Sequence, residues 1–266
     1  NGEKAEIDPE IWWQQLINGC KSIKNELAEV DVVSFSVTTP GLVAMEENGD
    51  ALIKAILFLD QRSHSQASSI RNKIGVERLL EKACNLPVSG GSSLSSILWI
   101  KENQPEVYEK TYKFGHTNTF LVHKLTKKWA IDPSTTSITG LYNTKENNLT
   151  WNSEFLNELS LSEDKLPELV QSYQEVGNID PEVAILLGLP STCKILCGGN
   201  DAVLSAFSAG INKPGDILFI SGTCDIMMVC LDNPMGSAEY NIRSHILPGM
   251  WITLFVLNTG GKSLEW

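Results

Sequence analysis

The segment Cys197-Gly198-Gly199-Asn200-Asp201-Ala202 decides the fold of this chain, because it joins a strand to a helix through a turn that exposes its backbone. The stretch 194–197 predicts a short strand that stops at the two glycines, where a ligand can approach the main chain. The alanine-rich run from Asp201 to Gly210 predicts a buried helix that ends at the glycine. A carboxylate at such a helix start lies in the positive field of the helix dipole.

Asp201 can be interpreted in two ways from this pattern. As a general base, its ionised carboxylate would accept a proton from a substrate hydroxyl group. As a helix cap, it would only satisfy the free amide groups of the first helical turn, which is the ordinary role of aspartate at this position. Spacing alone favours the cap.

A second glycine turn follows about twenty residues later. Residues 217–220 and 226–231 predict two apolar strands, joined by Ser221-Gly222-Thr223. A hairpin turn with glycine and a hydroxyl residue exposes amide donors that can hold phosphate oxygens. The signal is weak by itself, since most such turns are only turns, and the sequence contains no Walker or dinucleotide-binding glycine motif.

The first sixty residues predict a helix followed by paired strands. Asp8 and Pro9 form a helix start, and the helix that follows carries an apolar stripe at every third or fourth position. The stripe consists of Trp12, Leu16, Cys20, Ile23 and Leu27. Residues 30–39 predict a strand, and residues 42–45 are expected to pair with 51–58 across an Asn-Gly turn at 46–50.

The region 63–187 is expected to be helical and rich in loops, lying as a layer over a sheet. Its predicted helices are 77–84, 95–102, 106–112, 117–125, 152–159 and 181–187. The best candidate for a domain junction is Asn212-Lys213-Pro214-Gly215. The fold class is therefore α/β with some antiparallel pairing.

Composition indicates a globular protein and excludes some partners. The chain has 266 residues, of which 42% are hydrophobic, and 21 basic against 32 acidic side chains give a net charge of −11. This charge disfavours nucleic acid and anionic membrane surfaces as partners. The polar start of the sequence shows no signal peptide, and no apolar run is long enough to cross a bilayer, so we expect a cytoplasmic protein.

The cysteines and histidines do not predict a metal site. The six cysteines lie in apolar segments of a chain too large to need disulfides, so we expect them to be reduced and buried. Cys193 and Cys197 lack a second ligand pair at zinc spacing. The four histidines form no motif, and packing or surface roles are expected for them.

Several segments resemble, in the same order, the FGGY carbohydrate kinases, most closely the xylulose kinase branch. The matches are residues 7–13 to D-P-x-x-W-W, 56–62 to I-L-W-x-D-x-R, 120–126 with 131–134 to Y-L-x-x-x-L-T-G and T-D-P-S, 198–201 to G-G-G-D, 221–223 to L-G-T, and 258–266 to the helix entry before x-x-W-L. No segment is diagnostic by itself, but their collinear order is.

The resemblance implies ATP-dependent phosphorylation of a sugar or polyol, with Mg²⁺ shielding the triphosphate. It implies an actin-like, RNase H-like pair of domains with the active site in the cleft between them. Residues 1–211 would form the sugar-binding domain, and residues 212–266 would begin the nucleotide-binding domain. The sequence leaves open whether the protein forms a homodimer.

The resemblance also assigns roles to individual residues. Asp201 takes the position of the catalytic base, and no protein side chain is assigned to a metal. The nucleotide-binding positions are Gly222, Thr223 and Gly261, and the sugar-binding positions are Thr38, Thr39, Asp60, Arg62 and Asn200. The plainer alternatives are that the two threonines only end a strand, and that Asp60 and Arg62 form a surface ion pair worth about 1 kcal/mol or less.

Two departures from the family leave a second function open. Residues 36–41 read Ser-Val-Thr-Thr-Pro-Gly where xylulose kinases have Ser-Gly-Gln-Met-His-Gly, which puts xylulose itself in doubt. The family's first phosphate turn, D-x-G-T, and most of its second domain are not in the sequence, so this stretch alone is expected to be a poor catalyst. The alternative is a sugar-binding or interaction module without turnover on the same scaffold.

Overall fold

The computed structural model describes residues 3–222 and 225–257, together with Gly260 and Ser263. Within these residues the helices are α1 (Pro9–Ser22), α2 (His64–Ile74), α3 (Val76–Lys82), α4 (Ser93–Asn103), α5 (Pro105–Lys110), α6 (Thr117–Thr126), α7 (Pro133–Thr136), α8 (Ser153–Glu158), α9 (Pro181–Leu187) and α10 (Asp201–Ser208). The strands are β1 (Glu6–Ile7), β2 (Val32–Val33), β3 (Ser36–Val37), β4 (Gly41–Met45), β5 (Ala55–Leu57), β6 (Lys113–Gly115), β7 (Ala130–Ile131), β8 (Glu168–Leu169), β9 (Glu175–Asn178), β10 (Lys194–Leu196), β11 (Gly199–Asn200), β12 (Ile217–Ser221), β13 (Asp225–Leu231), β14 (Asn241–Ser244) and β15 (Trp251–Leu257).

Helix α1 begins where the sequence predicts, because Asp8 caps it and accepts a hydrogen bond from the amide of Glu10 at 3.0 Å. Its buried face is turned by one residue from the predicted stripe. Trp13 and Ile17 are buried, whereas Trp12 is only partly buried. Both sets of positions satisfy helical spacing, so only the packing partner of the helix decides which set faces the core.

Strand β4 is the centre of the first sheet, whose strand order is β1-β5-β4-β6. The predicted hairpin is confirmed: Leu42 pairs with Ile56, Met45 bridges to Ala51, and Gly49 takes the positive φ of 88° that the turn needs. Every residue of β4 is buried, which indicates that both faces of this strand are covered.

Two parallel pairs bring distant parts of the chain together. The predicted strand 30–39 is divided into β2 and β3, which pair in parallel with β10 and β11 respectively. In the second pair, Gly199 lies opposite Ser36 and Asn200 lies opposite Val37. Because the two strands are parallel, the residues that follow β3 and β11 lie at the same end of the pair.

The helical layer over residues 63–187 is confirmed, with helix bounds within a few residues of those predicted. The prediction missed helices α2 and α7 and strands β6 to β9. These strands are two to four residues long, which is too short for an alternating pattern to be visible. Helix α2 begins with the polar residues His64-Ser65-Gln66. These residues give no apolar stripe that would predict a helix.

The second sheet is antiparallel throughout, with the strand order β12-β13-β15-β14. The predicted hairpin of β12 and β13 is confirmed, with Ile217 opposite Val229. Helix α10 packs against the sheet, since Val203 and Ala206 share a buried cluster with residues of β13 and β15. Helix α10, which directly follows β11, is therefore also packed against the second sheet.

The expectation of reduced cysteines is confirmed for five of the six, which are free and buried: Cys20, Cys84, Cys193, Cys197 and Cys230. Cys224 lies outside the described residues. In the part of the chain that the structure describes, we find no helix with the length and apolar character needed to cross a membrane.

Asn85 joins the second sheet to the first part of the chain. Its side chain accepts a hydrogen bond from the amide of Ile242 at 2.9 Å and donates to the carbonyl of Ile242 at 2.8 Å. It also donates to the carbonyl of Ser137 at 2.9 Å. Because β14 is an edge strand, Asn85 takes the place of a further strand residue.

We predict that Asn85→Ala lowers the free energy of unfolding of the full-length protein by about 3 kcal/mol, since it leaves buried backbone groups of Ile242 without partners. Urea unfolding measures the change. The control is Asn157→Ala, at an exposed position of α8, where a change within about 0.5 kcal/mol is expected. Equal effects of the two substitutions would contradict the bridging role of Asn85.

Candidate active site

The parallel pairing of β3 with β11 places Asp201 beside Thr38. The two residues follow their strands at the same edge, although they are 163 residues apart in the sequence. Thr38 Oγ1 donates a hydrogen bond to Asp201 Oδ2 at 2.9 Å. This brings together the predicted catalytic residue and a predicted sugar-binding residue.

Gly198 allows this approach because no larger residue fits. Its φ is +72°, and a Cβ atom on it would lie 2.3 Å from the carbonyl oxygen of Phe35. The next amide, that of Gly199, donates to the same oxygen at 2.9 Å. The two backbones are therefore in direct contact immediately before the site.

Asn200, and not Asp201, caps helix α10. Asn200 Oδ1 accepts a hydrogen bond from the amide of Val203, while its Nδ2 donates to Thr39 Oγ1 at 2.7 Å and to Asp201 Oδ1 at 3.2 Å. Asp201 is the first helical residue, and its Oδ1 also accepts from the amide of Ala202. The N-cap position is therefore occupied by Asn200, while Asp201 still accepts from one free amide group of the first helical turn, so the capping interpretation of Asp201 holds in part.

A buried carboxylate below the site fixes the position of Asn200. Asp132 accepts hydrogen bonds from the amide and hydroxyl of Ser134 and from the hydroxyl of Ser172. The Ser134 hydroxyl in turn accepts from the amide of Asn200 at 2.9 Å. Burial raises the pKa of Asp132, and these hydrogen bonds oppose that rise. Sequence reasoning noted the Asp-Pro-Ser segment without assigning it to the site.

A cavity of about 440 Å³ lies next to Thr38 and is lined mainly by apolar residues of α1, β3 and β5. Its walls include Trp12, Phe58 and Thr117. Rings beside hydroxyl groups suit a polyhydroxy ligand, whose carbon faces pack on aromatic surfaces. A wider groove of about 750 Å³, at Lys113 and Asp164, includes none of the predicted site residues.

Asp60 and Arg62 form a buried ion pair, with 2.7 Å between Arg62 Nη2 and Asp60 Oδ2. Asp60 is completely buried and also accepts from the amide of Ala5, and Arg62 also pairs with Glu6 at 2.6 Å. The plainer alternative predicted an ion pair at the surface. The ion pair forms, but both side chains are buried. These contacts do not join the Thr38–Asp201 cluster, and a sugar-binding role for either residue stays a prediction.

The predicted nucleotide-binding residues are only partly described. Gly222 is exposed, at the end of β12 in the turn toward β13, and the structure does not bring it into the Thr38–Asp201 cluster. Thr223 and Gly261 lie outside the described residues. Their assignment to nucleotide stays a prediction.

Two buried titratable groups were missed by sequence reasoning. The first is Arg243 in β14, whose burial lowers its pKa to about 10, an effect that the negative charge of Asp201 opposes. The second is His116, which bonds Ser93 at 2.5 Å and whose pKa is lowered to about 3 by burial and then by the charge of Arg243. Neither belongs to a local motif, so no sequence signal marks them.

The mixed α/β architecture, with a carboxylate at the junction of its two parts, is the actin-like ATPase fold. A solved structure of a ligand-bound xylulose kinase from Lactobacillus acidophilus matches all of this chain with a TM-score of 0.90 at 22% identity. The match covers 54% of that chain. At this identity the likeness shows the fold alone.

The chain belongs to the FGGY family of carbohydrate kinases, because a sequence model of that family's N-terminal domain matches residues 1–208. A xylulose kinase from Staphylococcus xylosus is 29% identical over 98% of this chain and 54% of its own length. A gluconokinase from Bacillus subtilis (strain 168) is 27% identical over 98% of this chain and 51% of its own length. The chain thus spans about half the length of the curated relatives it matches.

We predict that Gly198→Ala destabilises the full-length protein by at least about 3 kcal/mol, because it combines positive-φ strain of roughly 1–2 kcal/mol with a backbone clash. Gly210→Ala is the matched control, since Gly210 has a φ of +84° but open space around its Cβ position. The control should lose only about 1 kcal/mol. Equal losses in urea unfolding would show that the contact with Phe35 does not matter.

The low pKa of His116 predicts a pH dependence of stability. The folded pKa of about 3 lies below the ordinary value of 6.5, so protons bind the unfolded chain first as the pH falls below 6.5. The stabilising contribution is complete above pH 6.5 and is lost between pH 6.5 and 3. At pH 5 the loss is about 2 kcal/mol.

His116→Gln removes this titration while keeping a group that can bond Ser93. Unfolding free energies at pH 7.5 and pH 5 should therefore differ by about 2 kcal/mol less in the variant than in the unmodified protein. The same pH dependence in both proteins would show that His116 is not the neutral, buried group described above.

Proposed function

We propose that the full-length protein transfers the γ-phosphoryl group of ATP to a hydroxyl group of a sugar or polyol, with Asp201 as the general base. The observation that carries the proposal is the hydrogen bond from Thr38 Oγ1 to Asp201 Oδ2, at the edge of the cavity beside Thr38. Membership of a carbohydrate kinase family supports the same reaction class.

The geometry suggests how this chain's residues would act. An acceptor hydroxyl in the cavity would replace or join Thr38 as a donor to Asp201 Oδ2. Asp201 Oδ1 is held by the Ala202 amide and Asn200, so the carboxylate keeps a fixed orientation. As the hydroxyl oxygen bonds to the γ-phosphorus, its proton passes to Asp201 and ADP leaves.

We propose ATP with Mg²⁺ as the phosphoryl donor, which membership of the carbohydrate kinase family supports. In phosphoryl transfer Mg²⁺ is commonly held by one or two carboxylates together with the phosphates, and it neutralises the charge of the triphosphate. The residues that the structure describes contain no cluster of three or more metal-ligating side chains. We assign Gly222, Thr223 and Gly261 to the nucleotide.

The acceptor belongs to the polyhydroxy compounds, and the relatives cover two chemical kinds of them. One is named for a neutral ketose, xylulose, and the other for a sugar acid, gluconate. We place the sugar-binding domain at residues 1–211 and the start of the nucleotide-binding domain at residues 212–266. Thr38, Thr39 and Asn200 are the acceptor-binding residues that the structure brings together.

We predict that Asp201→Asn in the full-length protein lowers kcat by about 10² to 10⁴, because a positioned base supplies a factor of this size. Coupled ADP-release assays measure the rate, and thermal unfolding verifies that the fold is retained. Asp164→Asn, at an exposed position in the wider groove, is the control and should leave kcat unchanged. Normal turnover of the Asp201 variant would remove this residue from the role of base.

The same assay over ketoses, aldoses, polyols and sugar acids tests the reaction itself. A kinase releases ADP with at least one class of acceptor. No release with any acceptor, from a folded protein that binds sugars, would instead favour the non-catalytic sugar-binding module.

A further inference from the structure

Strand β11 makes its sheet pairing on one edge only. There the amide of Gly199 donates to the carbonyl oxygen of Phe35, beside the parallel pairing with β3. The amides on either side of it, those of Gly198 and Asn200, donate elsewhere. In the part of the chain that the structure describes, this sheet consists of β3 and β11 alone, so no strand lies on the second edge.

Two buried serines supply the acceptors on that second edge. The amide of Gly198 donates to the carbonyl oxygen of Ser172 at 2.9 Å, and the amide of Asn200 donates to Ser134 Oγ at 2.9 Å. Ser134 belongs to helix α7, whereas Ser172 follows strand β8. Two residues from separate elements therefore take the place of a neighbouring strand.

A single carboxylate oxygen holds both serines. Asp132 Oδ2 accepts from the amide and hydroxyl of Ser134, and from the hydroxyl of Ser172 at 2.9 Å. Asp132 Oδ1 accepts from Asn118 Nδ2 at 3.1 Å. The carboxyl group is completely buried, where donors of this number are needed to offset the loss of water. Asp132, Ser134 and Ser172 thus form one group, named here the Asp132 unit.

The direction of the hydrogen bonds in the Asp132 unit is fixed. The hydroxyl group of Ser134 has one hydrogen atom, and the amide of Asn200 can only donate. Ser134 Oγ therefore accepts from Asn200 and gives its hydrogen to Asp132. The main chain of Asn200 is held by an acceptor that is itself oriented by Asp132.

Gly199 lets the Asp132 unit lie directly against the strand. A Cβ atom at this position would be 2.8 Å from Ser134 Oγ and 3.1 Å from Asp132 Oδ2, both shorter than ordinary contacts. With no side chain between them, a shift of the Asp132 unit moves the main chain of β11. The next residue along that main chain is Asp201.

We propose that Asp132 and Ser134 are positioning residues for the phosphoryl transfer, because they fix the main chain of Asn200 and thereby the direction of the Asp201 carboxylate. Neither lines the cavity beside Thr38, so they act through the strand and not on a ligand. A misplacement of about 1 Å at a reacting group can lower a rate by about 10². The inference rests on the proposed function, in which Asp201 is the base.

Ser137 offers a matched control, because it does the same for a different strand. Its hydroxyl group accepts from the amide of Ser244 in β14 at 2.9 Å. Ser134 and Ser137 are both completely buried. Alanine at either position removes one buried acceptor of a strand amide, but only Ser134 holds the strand that leads to Asp201.

Steady-state ADP release by the full-length protein tests the proposal. Ser134→Ala should lower kcat by roughly 10- to 100-fold and change the KM of the acceptor by less than about 3-fold. Ser137→Ala should keep kcat within about 2-fold, although both variants lose a similar amount in melting temperature. Equal kcat values in the two variants would overturn the proposal, and so would an effect confined to KM.

Hydrogen exchange, read by mass spectrometry on peptides that contain residue 200 or 244, locates the effect. Ser134→Ala should speed exchange at the amide of Asn200 and leave that of Ser244 unchanged, and Ser137→Ala should do the reverse. Unchanged exchange at Asn200 in the Ser134 variant would contradict its role as the acceptor.

Substitution of Asp132 separates position from charge. Asparagine keeps an oxygen for both serines, and its amide can donate to Asn118 Oδ1, which has no partner among the described residues, once the Asn118 side chain turns. Asp132→Asn should therefore keep kcat within about 3-fold. A folded asparagine variant as slow as Ser134→Ala would overturn the proposal, because the charge would then set the rate.

If Ser134→Ala does not fold, Ser134→Cys takes its place. The thiol has a similar shape but accepts hydrogen bonds weakly, so kcat should fall roughly 10-fold. An unchanged kcat in this variant would overturn the proposal.

The same measurements separate this inference from the proposed function. ADP release at equal rates in the unmodified protein and in Ser134→Ala would end the inference and leave the kinase function standing. No ADP release from the unmodified protein, together with faster exchange at Asn200 in the variant, would end the kinase function and leave the hold of Ser134 on β11 standing.

Discussion

The close contact between the backbones of Gly198 and Phe35 is the constraint on which the site depends. Strands β3 and β11 have only two residues each, so their pairing alone is a weak determinant of position. The contact is possible because Gly198 has no Cβ atom and takes a positive φ. It sets the register that puts Asp201 beside Thr38, and so it determines the geometry of the proposed reaction.

A buried polar network supports this contact from below. Asp132 holds Ser134, Ser134 holds the amide of Asn200, and the Asn200 side chain caps helix α10 and contacts Thr39. Such networks stabilise a structure only when their members find partners, and these members do. Asp201 therefore uses only Oδ1 for the helix start, through the amide of Ala202, while its Oδ2 accepts from the hydroxyl group of Thr38.

Arg243 and His116 are the opposite case, since both keep polar atoms without partners. Leaving a cation and a neutral imidazole in this condition costs stability, and natural proteins accept such costs at functional sites. The charge of Arg243 acts on His116, and the charge of Asp201 acts on Arg243, and nothing in the local sequence of these residues indicates this coupling.

The elements that local chemistry specifies agree with prediction. The Asp8-Pro9 start of α1, the hairpin at Gly49 and the β12–β13 pair each depend on residues that are neighbours in the sequence. The short strands β6 to β9 were missed, because a strand of two to four residues is defined by its partner and not by its own pattern. The buried face of α1 likewise depends on the packing partner of the helix, and not on the spacing of its apolar residues alone.

The sequence by itself determined the family, the α/β class, the glycine turn before α10 and the candidate base, Asp201. Those properties depend on residue types at fixed spacings along the chain. Only the tertiary structure decided that Asn200 caps the helix, that Asp60 and Arg62 are buried together, and that Arg243 is buried with its Nε and Nη1 lacking a partner among the described residues. Burial and pairing are set by groups distant in sequence, so no local pattern encodes them.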